Sequence, residues 1–198
     1  MDTMQVCSYL WTAFVVVWLV AWFKTKRTQQ RVNLGSRLLY GIPVFIGCYF
    51  LFGDRFSGWL QERVIPKNIW LESLAILITA AGIGLAIWAR FYLGENWSSV
   101  VSIKVDHQLI RTGPYAWVRH PIYSGILLGM IGTALARREP RGLFAALFLW
   151  IGFWIKSRME EGFMRKTFGD EYEVYSRSTG ALIPRLPLWS ADSSRLSD

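Results

Sequence analysis

Uncharged, largely apolar stretches alternate with short basic segments along this chain. Five such stretches occupy residues 3–23, 38–53, 73–89, 121–136 and 142–155. A helix needs about 20 apolar residues to span a bilayer, and the first stretch has that length. The others are 14 to 17 residues long, and flanking Lys, Arg or Glu side chains extend such helices by snorkelling. The pattern predicts about five transmembrane helices, and the fifth could equally be a re-entrant or buried helix.

The last two stretches form a predicted helical hairpin, because only residues 137–141 separate them. Lipid offers no hydrogen-bond partners to open strand edges, so helices are expected throughout. The first stretch is expected to be a retained span, since no positive charge precedes it and no small-x-small cleavage site follows. We therefore predict an all-α integral membrane protein with one domain over residues 1–185. A Ser- and Asp-rich tail over residues 186–198 is predicted to be disordered.

The composition also indicates a membrane protein, with 53% hydrophobic and 18% charged residues. A net charge of +8 would suit nucleic acid, but the basic residues flank apolar stretches instead of forming a basic domain. Attraction to anionic lipid head groups explains this placement, so no nucleic-acid partner is predicted. The two cysteines, Cys7 and Cys48, lie in apolar stretches without metal-type spacing. They are interpreted as small hydrophobic residues, and no metal site is predicted.

The distribution of Lys and Arg predicts the orientation of the chain in the membrane. With five spans and the N-terminus outside, segments 24–37, 90–119 and 156–198 lie inside and carry 16 basic residues. Segments 54–72 and 137–141 lie outside and carry six. Basic residues accumulate on the cytoplasmic side of membrane proteins. The C-terminus is therefore predicted to be cytoplasmic, in the inner membrane of a bacterium or the endoplasmic reticulum of a eukaryote.

Polar and aromatic side chains are concentrated where the fourth stretch begins. Residues 111–125 read Arg-Thr-Gly-Pro-Tyr-Ala-Trp-Val-Arg-His-Pro-Ile-Tyr-Ser-Gly. Pro121 suits the first turn of a helix, because its missing N–H would have no partner there. Arg119 and His120 then lie beside the free N–H groups and the positive dipole end that attract anions. The alternative is an interfacial anchor, since these residue types also collect where membrane meets water.

A second motif follows the last apolar stretch, where residues 159–175 read Met-Glu-Glu-Gly-Phe-Met-Arg-Lys-Thr-Phe-Gly-Asp-Glu-Tyr-Glu-Val-Tyr. Together, Arg-His-Pro-x-Tyr-x-Gly at 119–125 and the Glu160-Glu161 pair with its downstream Phe-Gly-Asp-Glu-Tyr resemble the C-terminal half of the isoprenylcysteine carboxyl methyltransferases. A wider group includes the phosphatidylethanolamine N-methyltransferases. The resemblance covers about residues 96–184, and Met164 stands where the family usually has Leu.

The resemblance implies a cytoplasmic pocket for S-adenosyl-L-methionine, between the loop before the fourth span and the end of the fifth. The residues that match the family's cofactor contacts are Ser102, His107, Gln108, Leu109, Ile110, Tyr115, His120, Pro121, Ile122, Tyr123 and Glu160. His120 and Tyr123 are also the candidate catalytic residues. A carboxylate at Glu160 could hold the cofactor's ammonium, and aromatic faces favour its sulfonium through cation–π attraction. The alternative for the glutamate pair is an ordinary solvated helix face.

The same resemblance implies a lipid-like methyl acceptor, most directly the carboxylate of an isoprenylcysteine. In the family an arginine one turn before the glutamate pair binds this carboxylate, and here Lys156 has that offset from Glu160. Lysine lacks the bidentate fork of arginine. The candidate substrate-binding residues are Lys156, Arg158 and Arg119.

Other functions are compatible with the same motifs. A phospholipid or amine N-methyltransferase would have to remove a proton from its acceptor, with His120 or Glu160 as the candidate base, whereas an ionised carboxylate needs none. A sterol-type reductase that uses NADPH and a non-catalytic membrane protein are further alternatives. Gly82-Ile-Gly84 resembles a pair assigned to cofactor binding in phospholipid methyltransferases, although close helix packing through small residues is the favoured interpretation.

Overall fold

The computed structural model of the chain describes residues 1–22, 28–31, 33–94, 102–104 and 109–185. The helices are α1 Thr3–Trp22, α2 Leu34–Phe52, α3 Ile69–Leu93, α4 Pro121–Arg137, α5 Arg141–Phe168 and α6 Asp170–Ser178. Short 3-10 helices cover Gly58–Gln61 and Gly113–Ala116. The predicted disordered tail and the predicted cofactor residues His107 and Gln108 lie outside the described residues.

A small antiparallel strand pair accompanies the helices. Strand β1, Thr28–Arg31, follows α1, and strand β2, Ser102–Lys104, follows α3. Their pairing joins the α1–α2 connection to the α3–α4 connection, and Ser102 lies opposite Arg31. The prediction of an all-α membrane fold is confirmed, because these two strands hold only seven residues between them.

Four of the five predicted spans lie in helices long and apolar enough to cross a membrane, namely α1, α2, α3 and α5. Helix α4 has 17 residues, and at about 1.5 Å per residue these extend about 26 Å. This is shorter than a hydrocarbon core of about 30 Å, so the predicted fourth span stays a prediction. The doubtful fifth stretch, 142–155, lies within one continuous helix of 28 residues and is not broken into a re-entrant segment.

Large apolar side chains are exposed along the outer faces of these helices. Among them are Leu19 on α1, Phe45 on α2, Leu77 on α3 and Leu147 on α5, each more than half exposed. An apolar surface of this extent is rare on soluble monomers and marks contact with another apolar medium. The surface therefore agrees with an integral membrane protein.

Successive long helices run in alternating directions. At one end of the bundle, Arg90 at the end of α3 donates from Nη2 to the carbonyl of Ala21, at the end of α1, over 2.6 Å. At this same end, Lys156 of α5 lies over the ring of Tyr40 near the start of α2, 5.4 Å from its centroid. The turn between α4 and α5 lies at the other end, against the end of α2. The contacts therefore match the alternation that the basic segments predict.

Arginines hold the α4–α5 turn in place. Arg138 adopts a left-handed conformation with φ of 61°, which ends α4 and reverses the chain. Arg137 and Arg141 both donate to the carboxylate of Glu139. Arg141 also donates from Nη1 to the carbonyl of Gly53, immediately after α2, over 2.6 Å. The predicted helical hairpin is confirmed, and these bonds fix it against α2.

Glycines allow α3 and α4 to touch backbone to backbone. A Cβ atom added at Gly82 would lie 2.2 Å from the backbone nitrogen of Gly129 and 2.5 Å from the carbonyl oxygen of Gly125. Small residues commonly let membrane helices approach this closely. The helix-packing interpretation of Gly82 is confirmed, whereas Gly84 faces open space.

We expect Gly82→Ala to lower the midpoint of thermal unfolding in detergent, because the added methyl group collides with the α4 backbone and overpacking costs about 1–3 kcal/mol. Gly84→Ala is the matched control, since its methyl group meets nothing within 4 Å. Alanine is favoured over glycine inside a helix by about 1 kcal/mol, so the control midpoint should stay level or rise. Equal midpoints for the two variants would contradict the close contact between α3 and α4.

Candidate functional site

The segment before α4 is held in place by the chain that follows α6. Helix α4 begins at Pro121, as predicted, and His120 is its N-terminal cap residue. The backbone N–H of Arg119 donates to the carbonyl of Gly180 over 2.9 Å, and that of His120 donates to Ala181 over 3.1 Å. The two side chains at the mouth of α4 are thus fixed by two backbone hydrogen bonds to a distant part of the chain.

His120 lies between the two glutamates of the second motif. Its Nδ1 is 3.3 Å from Oε2 of Glu160, and its Nε2 is 3.5 Å from Oε1 of Glu161. The hydroxyl of Tyr123 donates to Oε1 of Glu160 over 2.5 Å. The rings of His120 and Tyr123 are stacked, with centroids 5.5 Å apart. The structure therefore brings three predicted site residues, from the start of α4 and the end of α5, into direct contact.

The side chain of Arg119 forms an ion pair and hydrogen bonds inside the protein. Its Nε and Nη2 donate to Oε1 of Glu161 over 2.9 and 2.6 Å. Its Nη1 donates to the carbonyls of Ser176 and Thr179 around the end of α6. Glu161 is fully buried, so this ion pair neutralises a carboxylate that has no access to water. These contacts favour a structural role for Arg119, and its predicted role in substrate binding stays a prediction.

Glu161 is a residue whose importance the sequence reasoning missed. It lies about 100° around α5 from Glu160, and it contacts Arg119 and His120 together. A sequence signal could have identified it. The first motif has two adjacent residues that can carry a positive charge, Arg119 and His120, and the second motif has two adjacent acids, Glu160 and Glu161.

Charge and burial shift the pKa values of the groups around this cluster. Burial alone would lower the pKa of His120, but its contacts with Glu160 and Glu161 outweigh burial and raise it. Burial, together with the nearby Glu161 carboxylate, raises the pKa of Tyr172 on α6. Burial also raises the pKa of Tyr175 to about 12. The tyrosines of α6 therefore remain neutral beside the ion pairs.

Lys156 lies among aromatic rings on the same face of α5 as Glu160. Its Nζ is 5.0 Å from the ring centroid of Tyr123 and 5.4 Å from that of Tyr40. Both distances are within the range of cation–π attraction. Phe153 stacks on the ring of Tyr123, with 5.1 Å between the ring centroids. The positive charge is thus placed at an aromatic, partly buried surface next to the glutamate cluster.

The remaining predicted residues occupy different surroundings. Tyr115, Pro121 and Ile122 are buried, and Leu109 and Ile110 are partly buried. The hydroxyl of Tyr115 donates to the carbonyl of Ala89 over 3.4 Å. Arg158, a predicted substrate-binding residue, is about half exposed. Its Nη1 lies 3.6 Å from Oε2 of the fully buried Glu161.

The donor set of this cluster fits the chemistry of S-adenosylmethionine. Glu160 is partly exposed, at 19% of its side-chain surface, and a carboxylate has acceptor capacity beyond the contacts with His120 and Tyr123. The rings of Tyr40 and Tyr123 are aromatic surfaces of the kind that binds organic cations, and Lys156 already lies over both. A carboxylate that could accept an ammonium is therefore present, whereas these two aromatic rings are occupied by a cation of the protein.

An apolar cavity of about 170 Å³ lies at the opposite end of the bundle, around the α4–α5 turn. Its lining includes Val64, Ile131, Leu135, Arg138 and Leu143. It contains none of the predicted site residues. This cavity is therefore separate from the predicted cofactor pocket.

Known proteins resemble a substantial part of this chain. The protein-S-isoprenylcysteine O-methyltransferase of Saccharomyces cerevisiae is 38% identical over 94 residues, which are 46% of this chain and 39% of that protein. The protein of the same name from Mus musculus is 36% identical over 138 residues, which are 65% of this chain and 49% of that protein. The chain thus matches less than half the length of either relative.

A solved structure has a similar fold. It is the eukaryotic intramembrane Ras methyltransferase, an isoprenylcysteine carboxyl methyltransferase, with a TM-score of 0.56 and 26% sequence identity. The match covers 77% of this chain and 54% of that one. The predicted resemblance to the isoprenylcysteine carboxyl methyltransferases is thereby confirmed. A family model described as phospholipid methyltransferase matches residues 70–171, just over half of the chain, so the chain belongs to the phospholipid methyltransferase family.

Proposed function

We propose that this chain is a membrane-embedded methyltransferase that uses S-adenosyl-L-methionine and methylates the carboxylate of an isoprenylcysteine-type acceptor. The observation that carries this proposal is the cluster of His120, Tyr123 and Glu160, with Lys156 beside it at the same end of the bundle. The names of the two relatives and of the solved structure, each an isoprenylcysteine methyltransferase, support the same acceptor.

Glu160 and the aromatic rings are the proposed cofactor contacts. When bound, S-adenosylmethionine supplies an electrophilic methyl group on a sulfonium. Glu160 would hold the ammonium of its amino acid part, because its carboxylate is fixed from both sides by His120 and Tyr123. The ring of Tyr123 is already contacted by His120, Phe153 and Lys156, so its proposed role toward the cofactor is supported by the family resemblance. Ser102, Leu109, Ile110, Tyr115, Pro121 and Ile122, with His107 and Gln108, remain proposed cofactor residues from the family resemblance.

Lys156 is the proposed contact for the acceptor's carboxylate. It lies four positions before Glu160, so acceptor and cofactor would bind one helical turn apart on α5. A carboxylate with an ordinary pKa near 4 is already ionised at neutral pH. Alignment with the methyl group then provides most of the acceleration, because the reacting groups are held in place and no proton must move.

A second candidate is N-methylation of a phospholipid amine, favoured by the phospholipid methyltransferase family to which the chain belongs. An amine acceptor would need a base to remove its proton. Comparing an S-farnesyl-cysteine derivative with phosphatidylethanolamine as acceptor distinguishes the two candidates.

We also propose that the cluster faces the cytoplasm and that the N-terminus lies outside. The excess of basic residues at the cluster end of the alternating helices supports this orientation. A water-soluble cofactor would then reach the site from the cytoplasm, while a lipid-like acceptor arrives through the bilayer.

We expect Glu160→Gln to weaken binding of S-adenosylhomocysteine by tenfold or more, because a hydrogen bond to a charged group contributes about 1.5–3 kcal/mol. Isothermal titration of the detergent-purified protein measures this affinity. Glu171→Gln is the control, since its carboxylate is half-exposed in a surface pair with Arg111 and should leave the affinity unchanged. Wild-type affinity in Glu160→Gln would remove Glu160 from the cofactor site.

We expect Lys156→Met to raise the KM for the farnesyl-cysteine acceptor by about tenfold, because a charge-assisted contact worth about 1.5–3 kcal/mol is lost. Affinity for S-adenosylhomocysteine should stay close to that of the wild type. Steady-state kinetics at saturating cofactor measure the effect, and Lys166→Met, an exposed position on α5, serves as the control. An unchanged KM in Lys156→Met would refute the acceptor contact.

We expect a fluorescent protein fused to the C-terminus to be bright, and an alkaline phosphatase fused there to be inactive, when the chain is expressed in the inner membrane of a bacterium. Alkaline phosphatase becomes active only outside the cytoplasm, and the basic-residue bias places the C-terminus inside. An active phosphatase fusion would reverse the proposed orientation.

A further inference from the structure

We propose that His120 is a positioning residue that is protonated at neutral pH, an imidazolium held between Glu160 and Glu161 that fixes the Glu160 carboxylate. Given the methyl-transfer function proposed above, His120 would then be unable to take a proton from an acceptor. This favours acceptors whose nucleophilic atom is already ionised.

The two ring nitrogens of His120 carry the first step. Each faces a carboxylate oxygen, at 3.3 Å for Nδ1 and Glu160 and at 3.5 Å for Nε2 and Glu161. A neutral imidazole has one N–H and one lone pair, whereas an imidazolium has an N–H on both nitrogens. Neutral His120 would therefore direct a lone pair at a carboxylate, with only 9% of the side chain exposed to solvent. The protonated ring satisfies both contacts.

No other group among the described residues competes for Nε2, which is buried without a closer hydrogen-bond partner. At 3.5 Å its contact with Glu161 is an ion pair rather than a full hydrogen bond. The charge of the ring therefore matters more than the geometry of one bond. A buried ion pair of this kind depends on both partners being charged.

Charged and titratable groups surround the ring and its two carboxylates on every packed element. They are Tyr115 and Arg119 before α4, Tyr123 on α4, Lys156, Arg158, Glu160, Glu161 and Arg165 on α5, and Tyr172 on α6. Within the part of the chain that the structure describes, the two glutamates alone contact the ring nitrogens. The cations bind those glutamates from other sides, and Arg158 and Arg165 are about half exposed, so solvent screens their repulsion of the imidazolium.

The direction of the His120 pKa agrees with this geometry. Burial by itself would lower the pKa, and the contacts with Glu160 and Glu161 raise it above its ordinary value of about 6.5. The stability that protonated His120 contributes is therefore complete below the ordinary imidazole pKa. It is lost as the pH rises through the raised value.

Glu160 is no better suited than His120 to accept a proton. It already accepts hydrogen bonds on both oxygens, from Tyr123 and from His120. The two residues that the sequence offers as a base for an amine acceptor are therefore engaged with each other, whereas a carboxylate acceptor needs no base.

Imidazole nitrogen NMR of the full chain, labelled with ¹⁵N only at histidine, tests the charge state directly. The chain has two histidines, so His120→Gln assigns the signals. Cofactor-free wild type at neutral pH should show both His120 nitrogens at protonated shifts. One protonated and one unprotonated nitrogen at neutral pH would overturn the proposal, whatever the activity of the protein.

The variant Glu161→Gln tests whether Glu161 raises the pKa of His120, an effect that a purely structural role would not produce. Removing one of the two anions should shift the His120 titration midpoint down by about one pH unit or more. Glu171→Gln, at the exposed pair with Arg111, should leave the midpoint in place. A midpoint unaffected by Glu161→Gln in folded protein would contradict the clamp between the two glutamates.

Two matched acceptors, one with a carboxylate and one with an amine, test whether His120 can act as a base. N-acetyl-S-farnesyl-cysteine should be methylated at a rate that is level across neutral pH. An analogue with a primary amine in place of the carboxylate should react at least a hundredfold more slowly, with a rate that rises about tenfold per pH unit as free amine forms in solution, since its pKa is about 10. Comparable rates for the two acceptors at neutral pH would overturn the assignment of His120 as a positioning residue that takes no proton from the acceptor. An imidazolium signal in protein that binds no S-adenosylhomocysteine would support the charge state and refute the proposed function.

Discussion

Two adjacent carboxylates near the end of a long apolar helix impose the constraint that orders this end of the molecule. An ionised carboxylate in a dry environment costs several kcal/mol unless it is paired and hydrogen-bonded. Glu160 and Glu161 point in directions about 100° apart on α5, so each has a partner of its own in addition to the histidine between them. Arg119 neutralises Glu161, Tyr123 binds Glu160, and His120 lies between the two. The beginning of α4 is thereby joined to the far end of α5.

The helices could be predicted from the sequence because lipid permits few other backbone structures. The extent of α5 could not, because counting uncharged residues ends the fifth stretch at residue 155. The helix continues to Phe168, since ion pairs inside the protein neutralise the acids beyond that point. Pro121 marked the start of α4 correctly for a local reason, the absence of its N–H.

The site was predictable where its members are neighbours along one helix or in one motif. Lys156 and Glu160 share a face of α5 by their spacing alone. The partner of Arg119 depends on tertiary structure, because α6 places the carbonyls of Ser176 and Thr179 beside its guanidinium. No local pattern encodes that contact, so the sequence alone leaves Arg119 as a candidate for substrate binding.

The close glycine contact between α3 and α4 closes one route by which a lipid could approach the cluster. A prenyl or acyl chain needs a gap several ångströms wide between helices, and the backbones at Gly82 and Gly129 leave none. Diffusion through that seam is closed by the polypeptide itself. The proposed lipid-borne acceptor would have to approach along another flank, such as the one where α2, α4 and α5 meet and where Lys156 lies between the rings of Tyr40 and Tyr123.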